Sequence, residues 1–65
     1  MDVFANARFE LLARRQPLLD LMGRHDLQRR ELDEIEALAA RLPDADLRRA
    51  QAAVLRARLA LGMGD

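Results

Sequence analysis

Few side chains in this sequence could take part directly in chemistry. The chain has no Ser, Thr, Tyr or Cys, so no hydroxyl or thiol nucleophile is available. His25 is its only histidine, so no pair of imidazoles can hold a catalytic metal. We interpret His25 as an exposed loop residue rather than a pH switch. The sequence therefore predicts no enzymatic activity, catalytic residue, cofactor or metal site.

Carboxylates form an acidic run at Asp33, Glu34 and Glu36, with Glu31 nearby. Oxygen ligands of this kind can hold a divalent cation. In a helix, however, this spacing distributes the four groups around the axis. We interpret the run as a solvated face, or as a patch that meets the arginines of a partner.

A basic set occupies the last third of the chain: Arg48, Arg49, Arg56 and Arg58. A three-helix domain with arginines on its last helix is compatible with helix-turn-helix binding of nucleic acid. Against this alternative, eleven basic and eleven acidic residues cancel, whereas nucleic-acid binders generally carry a net basic surface. Asp44 and Asp46 would also repel phosphate near the start of that helix. A small nucleic-acid-binding regulator is therefore the lesser alternative.

The composition predicts an all-α chain. Ala, Leu, Arg and Glu are strong helix formers and dominate here. The β-branched residues that favour strands are limited to Val3, Ile35 and Val54. Every basic residue is Arg, which together with the high Ala content is typical of a GC-rich bacterial genome.

The first predicted helix spans about residues 3–22. Asp2 is a candidate N-cap, and Gly23 offers a left-handed C-cap. Pro17 either kinks this helix or divides it, because proline has no N–H and its ring clashes with the preceding turn. Its apolar positions form a stripe with two edges: Phe4, Leu11 and Leu18 on one, Phe9, Leu12 and Leu19 on the other.

The second and third predicted helices span about residues 26–42 and 45–61. Asp26 caps the second and Pro43 ends it, and Asp44 or Asp46 caps the third. So short a connection predicts an antiparallel hairpin. Heptad spacing predicts that two seams face each other: Leu32, Ile35, Ala39 and Leu42 against Leu47, Ala50, Val54, Ala57 and Leu61.

The third helix has a second apolar line at Ala52, Leu55 and Leu59, which the hairpin seam does not use. Either the first helix covers this line in a closed three-helix bundle, or the surplus faces dock on another chain in an oligomeric bundle. A single 65-residue domain without disulfides has a small core, which favours docking. We predict six partner-binding residues: Phe4, Leu11, Leu12, Leu18, Leu55 and Leu59.

The size and the Asp44-Ala45-Asp46 turn resemble two groups of small helix-hairpin proteins. One comprises dimeric plasmid copy-number regulators that bind paired RNA loops. The other comprises the co-chaperones of bacterial type III secretion, which shield a helical needle subunit, and it fits the neutral charge better. The likeness is architectural, so no functional position is carried over.

The sequence therefore predicts a non-enzymatic interaction module, a small bacterial adaptor or chaperone-like protein. Its expected partner is a protein, either itself or another helical chain, and no small-molecule substrate is expected. No signal-peptide pattern and no apolar run of about 20 residues is present, so we expect no membrane partner and a cytoplasmic location.

Overall fold

A computed structural model describes residues 3–63, which form three α-helices. They are α1 (Val3–Leu21), α2 (His25–Ala39) and α3 (Ala45–Met63). The described part contains no strand, and α2 packs against both other helices, while α1 and α3 meet less extensively. The predicted all-α, three-helix fold with a hairpin is confirmed. Asp2, the predicted cap of the first helix, lies outside the described residues.

Helix α1 runs through Pro17 without a break. Pro17 is exposed, so its ring does not compete for space in the core. Because proline donates no hydrogen bond, the carbonyl of Ala13 lacks its usual partner one turn later. The division of α1 at this point, which the sequence left open, does not occur.

The end of α1 is closed by a Schellman motif at Gly23. This glycine has a φ of +72°, a conformation in which a Cβ would be strained. Its N–H donates to the carbonyl of Asp20 at 3.0 Å, and the Arg24 N–H donates to that of Leu19 at 2.9 Å. Gly23 is thus the C-cap that the sequence predicts.

Helix α2 differs from its prediction at both ends. It starts at His25 rather than Asp26, with Arg24 in the cap position and no side-chain capping bond. It ends at Ala39 rather than residue 42. A proline disfavours helical backbone at the residue before it, here Leu42, and the Leu42 N–H donates to the Ala39 carbonyl at 3.3 Å in a tighter turn.

Asp44 occupies the cap position of α3, the first of the two alternatives in the sequence. Its carbonyl accepts a hydrogen bond from the Arg48 N–H at 3.0 Å, as expected for the residue preceding the helix. Asp46 lies within the first turn, where its negative charge favours the helix dipole.

The core joins one face of each helix. Phe9, Leu12, Leu32 and Ile35 are its largest fully buried side chains. Burying a side chain of this size contributes roughly 1.5–3 kcal/mol. The remaining side chains of the core are smaller or slightly less buried, and Ala13 and Leu55 pack at its edge. These remaining members are Ala5, Leu38, Ala39, Leu42, Ala52 and Leu59.

The face of α3 that enters the core is not the predicted seam. Leu47, Val54 and Leu61 are 58%, 52% and 82% exposed, whereas Ala52 and Leu59 are buried. The predicted seam of α3 is therefore wrong, and the second apolar line takes its place. Arg48 and Arg56 lie one turn from Ala52 on either side, so burying Ala52 also brings them to carboxylates on the other helices, which favours this orientation.

Candidate docking surfaces

The structure separates the six predicted partner-binding residues into two groups. Phe4, Leu11 and Leu18 are 78%, 53% and 56% exposed, so a partner can reach them. Leu12 and Leu59 lie in the core, and Leu55 packs at its edge. Half of the set is therefore occupied inside the fold, because the Ala52–Leu55–Leu59 line packs into or at the edge of the core that α1 and α2 share.

The first exposed apolar surface, the α1 stripe, comprises Phe4, Ala7, Leu11 and Leu18. The first three of these, with Arg8, line a shallow depression of about 260 Å³. Ion pairs border one side of the stripe, because Arg8 and Arg15 follow Phe4 and Leu11 by one turn. This surface is apolar along one helix only.

The second exposed surface, the α3 ridge, comprises the residues that the sequence assigned to the hairpin seam: Leu47, Ala50, Val54, Ala57 and Leu61. Its members are spaced 3-4-3-4, so they fall on one face of the helix. No charged residue interrupts them, whereas Arg14 interrupts the corresponding spacing on α1. The heptad spacing predicts this line, but in the seam between α2 and α3 and not on the surface.

A groove runs between α1 and α3 beside the α3 ridge. One part is a shallow depression of about 310 Å³ whose apolar lining is Phe9, Ala13, Val54 and Leu55, with Glu10 and Gln51 also lining it. Val54 belongs to both the ridge and the groove, so the two surfaces are continuous. We call this combination the α1–α3 patch.

A second part of the groove, about 200 Å³, contains the polar residues Gln16, Asp20, Gln28 and Arg58. Gln16 and Gln28 are only 3% and 4% exposed. The Gln16 Nε2 donates to the backbone carbonyl of Gln28 at 3.3 Å, but no group within residues 3–63 donates to the Oε1 atom of either side chain. Burying two amide oxygens without a donor from the described residues is expected to lower the stability of the bundle.

The acidic run of α2 faces the chain's own arginines. Glu34 accepts two hydrogen bonds from Arg8, the shorter at 2.6 Å, and Glu31 lies 3.1 Å from Arg15. Arg8 holds the pKa of Glu34 below its usual range, chiefly through the hydrogen bond. The predicted solvated face is thus a set of ion pairs that join α2 to α1.

Arg56 makes the corresponding contact on the other side of α2. It donates to Glu36 at 2.7 and 3.2 Å and to Asp33 at 2.8 Å. These bonds, to Glu36 first and Asp33 second, raise the pKa of Arg56. Because these bonds join α3 to α2, they help to fix the position of α3, although each exposed ion pair contributes only about 0–1 kcal/mol.

Arg48 is the least exposed of these arginines, at 16% of its side chain. Its guanidinium donates to Glu10 at 2.5 Å, to Asn6 at 3.0 Å and to Asp44 at 3.2 Å. It also lies 5.0 Å from the centre of the Phe9 ring, a cation–π distance. The bond to Glu10 is the main cause of a raised pKa for Arg48.

These contacts bear on the basic set of the last helix. Arg48 and Arg56 are engaged by carboxylates of the same chain, so neither guanidinium is free for phosphate. Arg49 and Arg58 have no ion pair within residues 3–63. Two dispersed arginines make a poor phosphate-binding surface compared with a continuous basic stripe.

Acidic and imidazole groups are otherwise dispersed over the described residues. His25 is the first residue of α2, not a loop residue, and its Nε2 lies 3.5 Å from an Asp20 oxygen. Across positions 3–63, no group of three or more potential ligands is close enough to hold a metal ion. The helices in this range lack the combination of length and apolar character that crossing a membrane requires.

No family model matches this chain, and no curated protein or solved structure gives a significant match.

Proposed function

We propose that this chain is a non-enzymatic protein-interaction module, a small adaptor or chaperone-like protein that docks through exposed apolar helix faces. The observation that carries the proposal is the exposure of nine large apolar side chains by more than half, on a chain of only 65 residues. Single exposed apolar residues are ordinary, but contiguous sets mark interaction sites. Six of the nine lie along the α1 stripe and the α3 ridge: Phe4, Leu11, Leu18, Leu47, Val54 and Leu61.

A helical segment is the class of partner that this surface suits. An amphipathic helix binds a groove between two helices by inserting apolar side chains at positions i, i+3, i+4 and i+7. The groove between α1 and α3 is bounded by two helices and has an apolar part lined by Phe9, Ala13 and Leu55. A cytoplasmic, bacterial setting for this module remains a prediction from the sequence.

A photoreactive amino acid at an exposed position tests this function in the cells that make the chain. Leu61 is the best site because it is 82% exposed and no core contact depends on it. Arg30, which is exposed on α2 away from both apolar surfaces, provides the matched control. We expect protein adducts of defined mass from Leu61 and none above background from Arg30. Equal yields from the two positions would rule out docking on this face.

A further inference from the structure

The buried apolar side chains of the bundle are unevenly distributed along its length. The contiguous core draws on residues 5–12 of α1, on residues 32–42 and on α3. Residues 16–31, which comprise the end of α1, the turn at Gly23 and the start of α2, bury one apolar side chain, Leu19. Leu19 does not belong to the contiguous core. We call residues 16–31 the α1–α2 tip, and hydrophobic burial stabilises it less than the rest of the bundle.

Polar side chains occupy the level at which the α1–α2 tip meets the core. Gln16 and Gln28 are buried there, and Glu31 is partly buried. Each has an Oε1 atom to which no group within residues 3–63 donates a hydrogen bond. In an opened form, water donates to these oxygens, so the closed form carries the free-energy cost of three unpaired acceptors.

The backbone of α1 is also interrupted at this level. Pro17 donates no hydrogen bond to the Ala13 carbonyl, so α1 lacks one of the bonds that join the tip to the preceding turn. Beyond this level, three ion pairs between helices hold the other part of the bundle together: Arg8–Glu34, Arg48–Glu10 and Arg56–Glu36. The tip and the remainder of the bundle therefore differ in apolar packing, in paired acceptors and in backbone continuity.

We propose that the α1–α2 tip opens as one unit while the remaining parts of the three helices stay packed. Regions with few buried apolar contacts open at a lower free energy than the whole fold, in contiguous cooperative segments. The tip meets this description over parts of two helices that the Gly23 turn joins. Its opening is a property of the fold and does not depend on the proposed function.

The consequence of opening lies on α3. Gln28 lines a recess together with Leu55, and a Cβ added at Gly62 would lie 3.1 Å from a carboxylate oxygen of Asp20. The α1–α2 tip therefore covers α3 between Leu55 and Gly62, a stretch that includes the core residue Leu59. Opening uncovers Leu59 and adds to the exposed apolar surface of α3, so the tip acts as a gate over that part of the helix.

Native-state hydrogen exchange of the purified chain, followed by NMR, tests this inference. Amides 19–24 and 28–31 should share one opening constant, at least tenfold larger than that of amides 9–12 and 35–39. Urea at low concentration should change the opening constant of the tip less than that of the other group, because opening the tip exposes less surface than unfolding the chain. A single opening constant with a single urea dependence over both groups would overturn the inference.

Two substitutions distinguish a cooperative tip from helix ends that fray separately. Gln28→Leu removes an unpaired acceptor on α2 and should lower the opening constant of amides 19–24 on α1 about fivefold or more. Ile35→Val, at a fully buried position outside the tip, should raise the opening constant of amides 35–39 about fivefold and leave that of the tip unchanged.

The inference fails if Gln28→Leu slows exchange on α2 alone, since the two helix ends then fray separately. It also fails if Ile35→Val accelerates exchange equally in both groups of amides, since the chain then opens as one unit. The wild-type chain by itself gives both opening constants, so the test does not depend on the folding of either variant.

Discussion

The buried glutamine layer provides a quantitative test of the packing. Gln28 is 4% exposed, and no group in the described part of the chain donates to its side-chain oxygen. Leaving a buried acceptor unpaired costs roughly 1–3 kcal/mol. Gln28→Leu removes that acceptor at similar volume, and it keeps the hydrogen bond from Gln16, since the backbone carbonyl of residue 28 accepts it. The free energy of unfolding should therefore rise by about 1–3 kcal/mol.

Urea and thermal unfolding followed by circular dichroism measure this change. In a domain of this size, each kcal/mol raises Tm by about 4–8 °C. Protein concentration must be the same for all samples, because association shifts apparent stability. Gln16→Leu is the comparison: it removes an unpaired oxygen but also the donor to Gln28, so its gain should be smaller. An unchanged or lower stability of Gln28→Leu would show that the layer is satisfied and the reasoning wrong.

Three further predictions concern the ion pairs and the orientation of α3. Arg48→Met should lower the free energy of unfolding by about 1–2 kcal/mol, measured in urea, because it removes a carboxylate network and a cation–π contact. Ala52→Leu should lower the free energy of unfolding by about 1–3 kcal/mol, because it overpacks the core. Ala57→Leu, on the exposed side of α3, should change it little in a dilute sample. The reverse order would mean that α3 turns its other face toward the core. Arg8 lowers the pKa of Glu34 in the folded state. The stabilisation of the fold by this ion pair is therefore complete above the unfolded-state pKa of Glu34 and is lost as pH falls below about 4. A pH series of urea melts should therefore show a smaller acid loss for Glu34→Gln.

The helices and their turns could be predicted because their signals are local. Gly23 takes the positive φ that closes α1, and Pro43 prevents α2 from continuing. The scarcity of β-branched residues left no plausible strand. The end of α2 was placed three residues late because the effect of a proline on the residue before it extends into a tighter last turn.

The orientation of α3 could not be predicted from periodicity. The helix carries two apolar lines, and both have helical spacing, so either could face the core. Arg48 and Arg56 favour the observed orientation, because with Ala52 facing inward they reach carboxylates on other helices. Those contacts join residues 20 to 38 positions apart in sequence, a separation that no local pattern reveals.

The sequence predicts only part of the candidate docking surface, because the orientation of α3 decides which of its apolar lines is exposed. Phe4, Leu11 and Leu18 lie on an exposed edge of α1, and the opposite edge offers Phe9 and Leu12 to the core, whereas the sequence left open which edge would be exposed. The sequence instead assigns the α3 ridge to the hairpin seam and leaves the Ala52–Leu55–Leu59 line as the surplus face. The structure has these two lines the other way round. The sequence does contain a signal for the orientation of α3. Arg48, Ala52 and Arg56 are four residues apart, so two cations lie on the face of α3 that turns toward Glu10 and toward the acidic residues of α2.

In-cell cross-linking from Leu61 tests most directly whether the exposed apolar faces are docking surfaces. The prediction is an adduct of defined mass that forms from Leu61 and not from Arg30. The mass of the adduct then identifies the partner, either a second copy of this chain or another protein. No adduct from Leu61 above the Arg30 background would contradict docking altogether.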